Sequence, residues 1–132
     1  MARLILDTNA LIRLDRQGEG LVGISESDDI AVAAVTLAEL RHGVLAADPP
    51  RQHAREQFVQ DVEETIEILP YTRSTAADHA ALLDHVRRSG KPRGAHDLII
   101  AAHARQTGRQ VFSLDVKARF GDLPGVGLPA VH

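Results

Sequence analysis

No cysteine occurs among the 132 residues. Disulfides, thiolate nucleophiles and cysteine-based zinc sites are therefore excluded. Aromatic residues amount to 3%: Phe58, Phe112, Phe120 and Tyr71. A core must then be built from Leu, Ile, Val and Ala, and an aromatic platform for stacking bases is not expected. Basic residues are in the minority, with 15 Lys and Arg against 18 Asp and Glu for a net charge of −3. A global basic footprint is missing, so any polyanion must meet a local patch or a metal ion. No apolar run approaches membrane-spanning length. The N-terminus lacks the charged and apolar regions of a signal peptide. With the missing disulfides, this fits a cytoplasmic protein.

What is present suits one globular domain over residues 1–132, with 44% hydrophobic and 25% charged residues. Leu4-Ile5-Leu6 reads as a short buried strand. Thr8 and Asn9 form a cap, and a helix begins at Ala10. Gly18, Gly20 and Gly23 break that pattern. Ile30 to Val35 is a continuous apolar strand of the buried parallel kind. A helix follows through Leu37, Leu40, Val44 and Leu45, ended by Asp48-Pro49-Pro50. Residues 51–65 read as a helix and Glu67-Ile68-Leu69 as a third strand. Ser74 caps a helix to about Ser89, with Ala77, Ala81, Leu82 and Val86 inward and Gly90 closing it. Ala95 to Thr107 is an apolar helix ending at Gly108. A strand over 110–114 and a last strand near Val126–Val131 complete the chain. The alternation predicts an α/β fold, a three-layer α/β/α domain with a mainly parallel central sheet.

Four acids fall at element edges: Asp7 after the first strand, Asp115 after the fourth, and Glu39 and Asp97 in the first turns of helices. In a parallel sheet the strand C-termini line one rim, where ligand crevices form. Four carboxylates on one rim repel each other unless protonated or bridged by a cation. The fitting cation is hard and oxygen-loving, Mg²⁺ or Mn²⁺. Each acid also has an ordinary structural use. Asp7, Thr8 and Asn9 all suit a helix cap. Thr36-x-x-Glu39 matches a capping box. Asp97 suits a helix dipole, and Asp115 suits a turn. Ile100, Ala101 and Ala104 share the face of Asp97, so that face points inward and its carboxylate needs a partner.

The ordered set Leu-Asp-Thr-Asn at 6–9, Val-Thr-Leu-Ala-Glu-Leu-Arg-His-Gly-Val at 35–44, His-Asp-Leu-Ile-Ile-Ala-Ala at 96–102 and Val-Phe-Ser-Leu-Asp at 111–115, with Phe120 beyond, resembles the PIN-domain ribonucleases. Specifically, it resembles the VapC toxins of bacterial toxin–antitoxin pairs. The resemblance implies a Mg²⁺- or Mn²⁺-dependent endoribonuclease, a cognate VapB-type antitoxin, an RNA substrate and commonly a homodimer. It carries Asp7, Glu39, Asp97 and Asp115 onto the family's acidic catalytic and metal-binding site, and Thr8 and Ser113 onto small hydroxyl positions nearby. Relatives often have further acids just after the fourth. Here Val116, Lys117, Ala118 and Arg119 intervene before Phe120.

Candidates for an RNA backbone are Arg13, Arg41, Arg87, Arg88, Lys91, Arg93, Lys117 and Arg119; a solvated surface is the plain alternative for each. Lys91-Pro92-Arg93 stands out because it precedes the Asp97 helix, whereas Arg41 also suits an internal ion pair. The seven histidines hold no HExxH pair. His96 adjoins Asp97, and His103 lies one heptad further on. Two other functions fit the acids: a non-catalytic acid-pocket module binding antitoxin or RNA, and a Mg²⁺-dependent phosphotransfer domain. Against the latter, Asp7-Thr8-Asn9 lacks the second Asp of a DxD motif.

Overall fold

Short runs such as Leu4-Ile5-Leu6 and Ala31-Val32-Ala33 are apolar on both faces, so each must be covered on both sides. In the computed structural model, which describes residues 1–17 and 27–129, they form a four-stranded parallel sheet of order β3-β2-β1-β4. The strands are β1 (Arg3–Leu6), β2 (Asp29–Ala33), β3 (Glu67–Leu69) and β4 (Gln110–Phe112). The helices are α1 (Thr8–Gln17), α2 (Ala34–Ala46), α3 (Pro49–Thr65), α4 (Arg73–Ser89) and α5 (Ala95–Thr107). Alternate strand residues feed two cores. Leu4, Leu6, Val32 and Phe112 pack with Leu11, Leu40, Val44, Val59 and Val62 of α1, α2 and α3. Ile5, Ala31, Leu69 and Val111 pack with Leu82, Leu98, Ile100 and Ala101 of α4 and α5. The period-2 alternation of side chains thus builds three layers from one sheet.

From β1 the chain lays β2 and then β3 on one side, and returns to place β4 on the other. The order therefore reverses at β1 and β4, and a crevice opens beyond their C-terminal ends.

Several boundaries differ from the sequence reading. The second strand ends at Ala33 rather than Val35, and α2 starts at once with no side-chain cap. Pro49 and Pro50 open α3 instead of only ending α2, because proline suits the first helical turn. Thr72, not Ser74, caps α4, in a reciprocal box with Thr75. The buried face of α4 runs through Thr75, Leu82 and the half-buried Val86, while Ala77 and Ala81 are exposed. The fourth strand stops at Phe112. Over 126–129 there is no strand; Val111 N–H donates to Gly127 C=O at 3.0 Å and Gln110 Nε2 to Leu128 C=O at 3.2 Å. Pro124, Gly125 at φ +77° and Pro129 prevent a ladder there. Residues 130–132 of that expected strand, and Gly18, Gly20 and Gly23, lie outside the described residues. As expected, α5 ends on Gly108 in the left-handed conformation, φ +68°.

Candidate functional site

Asp7 follows β1 directly and is buried. Its carbonyl accepts the first helical bond of α1 from Leu11 N–H, and its Oδ1 accepts from Ala10 N–H at 2.9 Å. Asp7 itself is therefore the cap, and Thr8 and Asn9 are the first helical residues. Its Oδ2 accepts the Ser113 hydroxyl proton. The Ser113 oxygen in turn accepts Asp115 N–H at 3.0 Å, so one hydroxyl links the ends of β1 and β4. Asp115 caps the 3₁₀ turn Val116–Ala118, its Oδ1 taking Lys117 N–H at 3.0 Å.

Glu39 stands in the second turn of α2, not the first, because α2 begins at Ala34. No capping box involves it. Thr36 is buried and its hydroxyl has no partner among the described residues. Glu39 Oε1 instead accepts from the Thr8 hydroxyl at 2.9 Å, across 31 residues of chain. Its Oε2 lies 3.4 Å from His96 Nδ1. Asp97 is in the first turn of α5, half-buried, and its carboxylate takes no hydrogen bond among the described residues. A Cβ on Gly94 would sit 3.0 Å from Asp97 Oδ2, so the glycine leaves room for this carboxylate. That close approach was not visible in the sequence.

Electrostatics ties the four together. Burial pushes the Asp7 carboxyl above the usual range; Asp115 and Glu39 push the same way, while Ser113 and Ala10 oppose. Burial also raises Asp97, and Asp115, Asp7 and Glu39 add to it while His96 opposes. Asp97 thus feels all three of the other acids, and Asp7 feels Asp115 and Glu39. Among the described residues, no three acidic or histidine groups are drawn close enough to form a complete chelate. Mg²⁺ keeps several waters and needs only one or two carboxylates. A half-buried, unpartnered Asp97 among oxygen donors fits such an ion.

A model of the PIN domain matches residues 4–123. The chain belongs to the PIN-domain family. Ribonuclease VapC5 of Mycobacterium tuberculosis is 34% identical to this PIN domain over 111 residues, covering 84% of the chain and 82% of VapC5. The structure of VapBC-5 from that organism, a member of the VapBC toxin–antitoxin family, is 33% identical with a TM-score of 0.71, covering 87% of this chain and 86% of its counterpart. DNA-bound VapBC from Salmonella typhimurium has a TM-score of 0.80 over 97% of both chains; at 23% identity it speaks for the PIN fold alone.

The basic residues sort differently from their expected roles. Arg41 pairs with Glu63, and Arg87 and Arg88 with Asp84. Arg93 Nη1 donates to the carbonyls of Ala118 and Arg119 at 2.7 and 2.8 Å. It clasps the turn that follows Asp115 to the loop that precedes Asp97. Arg13, Lys91 and Lys117 make no side-chain hydrogen bond or ion pair among the described residues. His103 is fully buried against Tyr71, far along α5 from Asp97.

Proposed function

We propose that this PIN domain is a divalent-metal-dependent endoribonuclease, a hydrolase of RNA phosphodiester bonds, and the toxin of a VapBC-type pair. The observation that carries the reading is a family match over 4–123 together with acids at the sheet's switch point, where burial and neighbouring carboxylates raise both Asp7 and Asp97. The VapC relatives are ribonucleases by name, which supports RNA as substrate. A phosphotransfer function has no support in these likenesses.

Asp7 and Asp97 are the residues that would hold Mg²⁺ or Mn²⁺, with Glu39 at a second ion or on the attacking water and Asp115 completing the set. The ion supplies charge neutralisation at phosphorus and a water of lowered pKa. The chain's own groups do the rest. Ser113 and Ala10 N–H fix both oxygens of Asp7, so its lone pairs keep one direction. Thr8 fixes Oε1 of Glu39 and leaves Oε2 on the side of His96. Oε2 is then free to orient a water or receive its proton. Ser113 keeps Asp115 in register with Asp7. Such pre-set geometry is what positioned catalysis requires.

A VapB-type antitoxin is the proposed partner, by likeness to the VapBC complexes. A cationic side chain of that partner would pair with Asp7, Glu39 and Asp97 and displace the metal. Beside Glu39, a cleft walled by Ile12, Leu40, Phe58 and Val59 offers apolar surface for its hydrophobic residues. The test is sequencing of RNA ends made by purified protein with Mg²⁺ or Mn²⁺, with and without chelator. Discrete new ends that vanish on chelation support the reading. RNA that is bound but never cut would leave a non-catalytic module.

A further inference from the structure

An RNA strand nearing Asp7, Glu39, Asp97 and Asp115 meets like charge, and the whole chain is acidic. Attraction must therefore be local. A cleft between the C-terminal end of α4, the loop before α5 and the turn after Asp115 gathers Lys91, Arg93 and Arg119 with His85, Ser89 and Asp122. Three cations face one carboxylate there. We infer that this cleft is a phosphate subsite for the RNA backbone on the flank of the scissile bond, an inference that rests on the ribonuclease reading.

Its cations differ in how they are held. Arg93 is fixed by its two carbonyl acceptors, so its charge is already in place when RNA arrives. Arg119 has φ +51°, a left-handed backbone, and is fixed by Asp122 through Nε at 2.8 Å and Nη2 at 2.7 Å. Ser89 is spent on Val86 C=O and Lys91 N–H, so it forms wall rather than donor. Lys91 is exposed and has no side-chain partner among the described residues, leaving its ammonium donors for a ligand. Arg119 is thus spent on Asp122, and the anchored guanidinium of Arg93 with the free ammonium of Lys91 suits a phosphate oxygen that must be met without a large ordering cost.

The cleft also shares its walls with the acidic site. Arg93 is bonded to the turn that Asp115 caps. The next residue, Gly94, packs against the Asp97 carboxylate. A backbone held by Lys91 and Arg93 would thus lead directly to both acids. Arg41, Arg87 and Arg88 are spent on Glu63 and Asp84. The cleft's charged donors meet phosphate oxygens, which carry no sequence information, so binding here should ignore sequence.

The test measures single-stranded RNA binding against salt, in Mg²⁺, on a Glu39→Gln background, with cleavage by the unaltered chain followed alongside. Each phosphate contact contributes about 0.7 to the slope of log affinity against log salt on single strands. Lys91→Ala should flatten the slope by about 0.7 and weaken every RNA sequence alike. Lys91→Arg should restore the slope, and Arg51→Ala, on α3, should leave it unchanged. If the chain cleaves RNA while Lys91→Ala and Lys91→Glu keep the parent slope, the subsite is overturned and the ribonuclease reading stands. If the unaltered chain neither cuts nor binds RNA, both fall.

Discussion

Arg109 lies at the edge of the sheet opposite the carboxylates, and its loss should cost stability while sparing the chemistry. Its side chain is 2% exposed. Nη1 donates to Leu4 C=O at 3.2 Å, to Asp29 C=O at 3.2 Å and to Asp29 Oδ1 at 3.1 Å; Nη2 donates to Glu67 Oε1 at 3.3 Å. One guanidinium at the start of β4 thus ties β1, β2 and β3. In Arg109→Met the stem still packs but every donor is gone. Asp29 and Glu67 have exposed sides and regain water, whereas the two carbonyls lose a charged donor in a poorly hydrated place. At about 1–2 kcal/mol for each of the two carbonyls, toward the low end of the cost of an unsatisfied buried group, the total is roughly 2–4 kcal/mol. For a domain of this size that lowers Tm by roughly 8–16 °C. Arg109→Lys should recover little, because an ammonium cannot span the same acceptors. The assay is thermal unfolding by circular dichroism, at pH 7 and at pH 3. Asp29 titrates below its ordinary value, chiefly through the Arg109 hydrogen bond. Its contribution is present above the unfolded carboxyl pKa of about 4 and lost as pH falls through the folded one. The gap between wild type and Arg109→Met should therefore narrow at pH 3. A Tm within about 2 °C of wild type at pH 7, far short of the roughly 8–16 °C expected, would refute the reasoning.

Three further outcomes are expected. Mg²⁺ or Mn²⁺ should raise Tm at neutral pH, by about 2.7 kcal/mol of stability at a hundredfold excess over Kd, and Asp7→Asn or Asp97→Asn should abolish most of that rise. Burial raises both carboxyls in the fold, so the metal-free domain gains stability as pH falls through their folded values; the metal's advantage should fade on acidification, as calorimetry at pH 7 and 5 can check. His103, buried with neither ring nitrogen partnered among the described residues, is held below its ordinary value by burial and by His79. Stability should therefore drop as pH falls through the unfolded value of about 6.5, and His103→Phe should remove that component from a urea series across pH 5–8. Glu39→Gln should keep the wild-type circular dichroism spectrum, because no cap depends on Glu39.

Asp7 was legible because it closes an apolar strand, and Asp97 because it heads an apolar helix on an inward face; a charge at either place needs a reason. The layers were legible from the alternation of short apolar strands with helical spacing. Glu39 was legible as a residue but misplaced in its helix. Ile30 to Val35 runs unbroken through the strand–helix junction at Ala33 and Ala34, so no polar cap marks it. The fourth strand looked longer than it is because Ser113 and Leu114 suit a strand, yet the Ser113 hydroxyl is engaged by Asp7. In α4 small alanines carried too little apolar signal to fix the buried face. The clasp made by Arg93 and the tie made by Arg109 were hidden for another reason. Their acceptors are backbone carbonyls 25 and 105 residues away, Ala118 and Leu4, and no sequence pattern advertises a carbonyl.

The most direct measurement is cleavage of one RNA by the wild-type chain, Asp7→Asn, Glu39→Gln, Asp97→Asn and Asp115→Asn, each shown to be folded, with ends mapped by sequencing in Mg²⁺ or Mn²⁺. The account predicts metal-dependent ends from the wild type and their loss in Asp7→Asn, Glu39→Gln and Asp97→Asn, with Asp115→Asn also impaired. Wild-type cutting by Asp7→Asn or Asp97→Asn, or ends that persist unchanged in chelator, would contradict it.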